Sequence, residues 1–124
     1  MIIKPFDVAW LYVAFVQGNG GKRRPIVILS DYSGQLAFYA ITHQFKNKSS
    51  RIQKQYCPIL DWNKIAGLTM PSYIDTGKIF TIDEQNLTDL KVTGHLTRID
   101  IINLKHFLVN YHHQKKIQDQ KKDK

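Results

Sequence analysis

The chain of 124 residues reads as a mainly β, α+β domain. It is expected to form a small curled antiparallel sheet or SH3-like barrel covered by a C-terminal helix. Three observations predict this. Short runs of β-branched and aromatic residues fill the first part of the chain, separated by clusters of Gly, Asn, Asp and Ser. The first run, Asp7 to Val16, has no polar face, as in a strand buried on both sides. The last quarter changes to a helical period after a Thr-x-x-Asp start.

In order, Asp7 to Val16 is the first strand, and Gln17 to Arg23, with its Gly-Asn-Gly-Gly, is a loop. Pro25 to Ser30 is a second strand, with proline at its tolerated first position. Asp31-Tyr32-Ser33-Gly34 turns the chain into a third strand, Gln35 to Thr42. A basic loop follows, then a short strand within Gln55 to Leu60 and a connector from Gly67 to Pro71. Two further strands, Ser72 to Asp75 and Lys78 to Ile82, are broken at Thr76-Gly77. Thr81 and Glu84 have capping-box spacing and predict a short helix reaching Leu87 and Leu90. Thr97 and Asp100 repeat the spacing and open a helix with Ile101, Leu104, Leu108 and Tyr111 on one stripe and Phe107 beside it. The domain is expected to span 1–112, with 113–124 a lysine-rich, disordered tail.

Composition narrows the class. Hydrophobic residues make up 43% and aromatics 11%, ordinary for a globular domain. The longest apolar run, Val8 to Val16, is too short to span a bilayer, which takes about 20 residues. The N-terminus lacks the pattern of a signal peptide. The single cysteine, Cys57, allows no intrachain disulfide and no multi-cysteine metal site. These features predict a soluble cytoplasmic protein without a membrane partner.

The net charge of +8 is concentrated. Lys22, Arg23 and Arg24 form one basic segment, and Lys46, Lys48, Arg51 and Lys54 a second with no acid among them. The lysine-rich tail is the third. Outside these three segments the chain is net negative, the pattern of a face that meets a polyanion. Tyr12, Tyr32, Phe38, Tyr39 and Phe45 lie within or near the basic segments. Phe45 and Tyr32, in loops, are the candidates for stacking on bases. Trp10 and Trp62 are expected in the core.

No Walker loop, dinucleotide fingerprint, His-Glu-x-x-His or nucleophile elbow is present. His43, His95, His106, His112 and His113 do not show metal-ligand spacing with nearby carboxylates, so neither a metal nor another cofactor is expected. What remains is Lys22-Arg23-Arg24-Pro25 before one apolar strand and Ala40-Ile41-Thr42-His43 ending the next. A guanidinium offers a fork of donors matched to phosphate oxygens and keeps its charge at any relevant pH. A threonine hydroxyl adds a neutral hydrogen bond. Pairing through the Asp31–Gly34 turn would bring the two to one end of a hairpin. A strand-end arginine in an ion pair and a β-prone threonine are the plainer alternatives.

Several stretches resemble the MazF/PemK toxin family, the mRNA interferases of type II toxin–antitoxin systems. They are Phe6-Asp7-Val8, the Gly18 to Gly21 loop, Arg24-Pro25 leading into Ile26-Val27-Ile28-Leu29-Ser30-Asp31, and Ala40-Ile41-Thr42. Pro71-Ser72-Tyr73-Ile74, Ile79-Phe80-Thr81-Ile82-Asp83 and Gly94-His95-Leu96 continue the match, which covers about residues 5 to 110. The resemblance implies a metal-independent endoribonuclease cutting single-stranded RNA through a 2′,3′-cyclic phosphate, with Arg24 and Thr42 as its catalytic pair. It also implies a homodimer and a small antitoxin partner. Lys22, Arg23, His43, Phe45, Lys46, Lys48, Arg51 and Lys54 are the candidate RNA-binding residues, with His43 also a candidate acid or base.

The chain departs from the family pattern at several points. Phe6 replaces a common Gly. The first loop offers Gln17, Asn19 and glycines where many relatives carry Ser-Glu-Gln or His-Glu-Gln. Asp75 and Gly77 stand where some relatives have an arginine and an acid. The cut-site sequence and the general base therefore stay open. The alternative function is a non-catalytic toxin or nucleic-acid-binding module on the same fold, for example a gyrase-binding CcdB-like protein.

Overall fold

The computed structural model describes residues 3–14, 21–87 and 89–122, with side chains at 3–12, 23–87 and 89–112. Its strands are β1 (Asp7–Ala14), β2 (Gly21–Tyr32), β3 (Gln35–Thr42), β4 (Tyr56–Pro58), β5 (Tyr73–Asp83) and β6 (Lys91–His95). A one-turn helix α1 (Ser50–Gln53) precedes β4, and α2 (Arg98–Lys122) closes the chain. Every strand pairing is antiparallel, in the order β4-β5-β3-β2-β1-β6. Among the described residues the edge strands β4 and β6 do not pair with each other. Of the two forms expected, the open sheet is the one found.

The doubly apolar character of β1 has its predicted consequence. Val8 packs with Val27, Ile41, Ile74 and Leu104 on the face covered by α2. Ala9 and Leu11 pack with Ile26, Ile28, Leu36 and Phe38 on the other face. That second cluster is completed by Phe80, Ile82, Leu87, Leu90 and Val92, so both faces of the central strands are buried. Alternate residues of one strand thus serve two cores, which is why the strand carries no polar face.

The helix begins where Thr97 and Asp100 predict. Thr97 Oγ1 accepts from the Asp100 N–H at 3.3 Å. The Asp100 carboxylate is buried and accepts backbone N–H groups of Leu60 and Asp61, at 2.6 and 3.0 Å. A helix-start residue therefore also anchors the segment leaving β4. Ile101, Leu104, Phe107 and Leu108 face the sheet as expected, and Tyr111 stacks on Phe107. The backbone helix runs on to Lys122, through the segment expected to be disordered. That segment contains no Gly or Pro, and Lys and Gln are fair helix formers.

Other boundaries differ. β2 begins at Gly21, inside the expected loop, because Lys22 to Pro25 pair with β1 across Val13 to Trp10. Leu29 is the extra residue of a bulge that absorbs the unequal lengths of the β2–β3 hairpin. The hairpin loop is Ser33-Gly34, both at positive φ, as a tight two-residue turn requires. The break expected at Thr76-Gly77 is a wide bulge inside one strand, residues 76–79 lying opposite Tyr39 alone. The short helix after Thr81 is a single 3₁₀ turn, Glu84–Asn86, starting from Asp83 instead of Thr81. The early Asp7 is buried, accepting the Lys4 N–H at 2.8 Å and lying 2.9 Å from His95 Nδ1, which joins β1 to β6. The Gly18 and Asn19 loop readings fall outside the described residues.

Candidate RNA-binding site

The β2–β3 register sets the geometry. Ile26 lies across from Ala40. Continuing that register by two residues places Arg24 across from Thr42, where the strands open onto a cleft of about 280 Å³. Arg24 and Thr42 are both half-buried and both line it. Thr42 Oγ1 accepts the Gln44 N–H at 3.1 Å. A hydroxyl used as an acceptor still has its own proton to donate, so this bond orients Thr42 without exhausting it.

The opposite wall comes from the connector between β4 and β5, residues Gly67 to Met70 with Ser72. Ser72 is buried, and its Oγ donates to the Met70 carbonyl at 2.8 Å, tightening the chain before β5. Trp10 reaches the connector from β1, donating Nε1–H to the Gly67 carbonyl at 3.1 Å. The expectation that Trp10 is a core residue is thus corrected. It is half-buried and forms part of the cleft wall, because its partner on β2 is Pro25, next to Arg24. Trp62 packs against the helix-side core as expected.

The candidate residues separate into groups. Arg23 lines the cleft, with its guanidinium 2.6 Å from Asp89 in an exposed ion pair. His43 lines both this cleft and a second one beside it, and Phe45 and Lys46 line the second. Lys48, Arg51 and Lys54 line neither; they surround α1, which was not expected from the sequence. Ser49 caps α1, its Oγ accepting the Ile52 N–H. The Lys22 side chain lies outside the described residues. Tyr32, proposed for base stacking, is 78% exposed at the far end of the hairpin, paired with Gln35 and remote from Thr42. Its place at the turn rules it out as a partner of this cleft.

Sequence reasoning missed Trp10, Gln44 and the connector as cleft residues. Pro25 beside Arg24 was a usable signal for Trp10 once β1 and β2 were paired. The connector had no local signal. Among the described residues, no three His, Cys, Asp or Glu side chains gather as a metal site. No helix among them is long and apolar enough to cross a membrane.

An open antiparallel sheet under a C-terminal helix, with an arginine and a threonine lining one cleft, defines a small α+β domain. The model for PemK-like, MazF-like toxins of type II toxin–antitoxin systems matches residues 4–110, and the chain belongs to that family. Among solved structures it is similar to the Mycobacterium tuberculosis toxin MazF-mt6. The TM-score is 0.56 at 18% identity, over 83% of this chain and 94% of that one, a likeness of fold. No curated protein matches the chain.

Proposed function

We propose that this toxin is a cytoplasmic endoribonuclease that cuts single-stranded RNA by in-line attack of the substrate's own 2′-hydroxyl. The P–O2′ bond forms as the P–O5′ bond breaks, leaving a 2′,3′-cyclic phosphate and a 5′-hydroxyl. The observation that carries the reading is the convergence of Arg24 and Thr42 on one cleft. The guanidinium stabilises the charge that builds on the phosphoryl oxygens, and the Thr42 hydroxyl orients the phosphate. The 2′ proton must leave and the 5′ oxygen must gain one. His43, beside Thr42 on the cleft wall, is the candidate proton carrier. Because the nucleophile belongs to the substrate, this chemistry needs no metal-activated water.

The family supplies the rest of the reading. The active form is a homodimer with RNA between its subunits, and a small antitoxin with an acidic or amphipathic segment covers the same basic face. Sedimentation equilibrium tests the dimer.

The decisive experiment incubates the purified chain with a long RNA, with and without EDTA, and determines the end groups. A 2′,3′-cyclic phosphate formed equally in EDTA is the expected result. A substrate with one 2′-deoxy sugar 5′ to the scissile phosphate should bind and stay uncut. Cutting of that substrate at a comparable rate eliminates the mechanism. Binding of RNA without any cleavage favours the non-catalytic alternative.

A further inference from the structure

Among the described residues that line the Arg24–Thr42 cleft, Arg23, Arg24 and His43 are basic and none is a carboxylate. A carboxylate reaches the cleft all the same, through Arg23. Arg23 Nη2 lies 2.6 Å from Asp89 Oδ2, with the two side chains 61% and 41% exposed.

The sheet gives this ion pair a direction. Arg23 stands on β2 opposite Tyr12 of β1. Asp89 lies just before β6, which pairs with β1 on the side away from β2. The Arg23 side chain therefore reaches across β1 to its partner, away from β3 and Thr42. Asp89 is the anchored member of the pair, because Leu87 and Leu90 on either side of it pack against the second core cluster. Arg23 carries its charge at the end of a long, rotamer-rich stem.

We propose that Asp89 is an internal competitor for Arg23. It holds the guanidinium on the β6 side of the sheet in the free protein, and a phosphate of bound RNA displaces it. The inference rests on the reading that the Arg24–Thr42 cleft takes RNA, and it adds a residue that sets how tightly. A carboxylate and a phosphate make the same demand on a guanidinium fork. While paired with Asp89, Arg23 offers the strand a neutral ion pair instead of a cation. Exposed pairs are weak, and a phosphodiester contact, which also releases condensed counterions, displaces one. Asp89 thus moderates RNA binding without preventing it.

Binding of a single strand with 2′-fluoro sugars throughout, followed by fluorescence anisotropy on the full chain, tests this. Such a strand keeps its phosphates and lacks the attacking hydroxyl. Asp89→Asn keeps the shape of the side chain and removes its charge. It should bind about threefold more tightly at low salt, the order expected of an exposed ion pair. The gain should shrink as salt is raised, because screening weakens the pair that must break. Asp89→Glu, which keeps the charge, should bind much as wild type does. In an Arg23→Gln background Asp89→Asn should gain little, since the group it competes for is gone. Circular dichroism checks each fold, and cleavage of ordinary RNA is followed in parallel.

A gain by Asp89→Asn below about 1.4-fold, the lower end for such a pair, overturns the competitor role. So does an equal gain by Asp89→Glu, or one that survives in full without Arg23. In each of these cases cleavage by wild type leaves the nuclease reading standing. If the gain appears and depends on Arg23 but no RNA is cut, the cleavage reading fails and Asp89 keeps its role. If wild type binds no single strand, both fall.

Discussion

Trp10 Nε1–H donates to the carbonyl of Gly67 across 57 positions of sequence, and this bond ties β1 to the connector that walls the candidate site. Gly67 has φ +99°, and a Cβ there would collide with the Thr93 side chain and lie 3.1 Å from Trp10 Nε1. Gly67→Ala should therefore cost about 2 kcal/mol, combining backbone strain with a disturbed hydrogen bond. Urea denaturation measures the loss, and indole emission should report a changed Trp10 environment. A stability within 0.5 kcal/mol of wild type, taken as roughly the scatter of neutral surface changes, would refute the account.

Arg24→Ala should lower RNA cleavage by about 10²–10³ with the fold intact, the usual result of removing one donor aimed at developing charge. Arg24→Lys should recover only part of it, since an ammonium keeps the charge and loses the fork. Thr42→Val, which keeps the β-branched shape, should fall by less. Rates are compared at saturating RNA, with circular dichroism confirming the fold. Cleavage by Arg24→Ala within twofold of wild type removes the residue from the mechanism.

The basic segment should act unevenly. Lys46 lines a cleft, whereas Lys48, Arg51 and Lys54 lie around α1 outside both clefts. Lys46→Gln should reduce the slope of log K against log salt by about 0.7, the value for one single-strand phosphate contact. Replacing Lys48, Arg51 and Lys54 together should change the slope by less than three such contacts. A drop of about 2.1 in the triple variant would mean that the bound strand runs past α1.

Cys57 should be inert in the folded protein and contribute to alkaline instability. Burial, with the Asp100 carboxylate adding to it, pushes the thiol from its ordinary 9.0 up to about 12. The folded state therefore keeps a proton that the unfolded chain releases. The associated stability is present in full below pH 9 and is lost as pH rises through 12. Tyr39 and Tyr56 are raised by burial in the same sense, so Cys57→Ala is the necessary comparison. The gap in stability between wild type and Cys57→Ala should narrow from pH 8.5 to pH 11, within the window those values set. At neutral pH, a thiol reagent should modify Cys57 only in denaturant. Rapid labelling of the native protein would contradict its burial.

Local patterns were readable because they depend on neighbours in sequence. The 3.6-residue stripe of α2, its Thr97–Asp100 start and the apolar strand Pro25 to Ser30 all follow from residues a few positions apart. The extension of β2 back to Gly21 was not readable, because Lys22 and Arg23 have no strand preference that outweighs a glycine-rich neighbourhood. Their pairing with Val13 and Tyr12 decides it. The helix α1 was hidden for a similar reason. Its four residues are too short for a period to show, and a side-chain cap from Ser49 and the Gln53 bond to Phe45 define it.

By itself, the sequence determined the fold class, the family resemblance and the candidacy of Arg24 and Thr42, since each rests on residue type and short spacing. Only the tertiary structure decided what surrounds that pair. The register of β2 on β3, corrected by the Leu29 bulge, brings Arg24 level with Thr42. The return of the chain between β4 and β5 sets Gly67 to Ser72 against them. The same closure turns Trp10 into a cleft wall and leaves Tyr32 at the opposite end of the hairpin. The physical reason is that a strand's period assigns a side chain to a face. Its partner across the sheet depends on bulges and closures that residues far apart in the chain settle together.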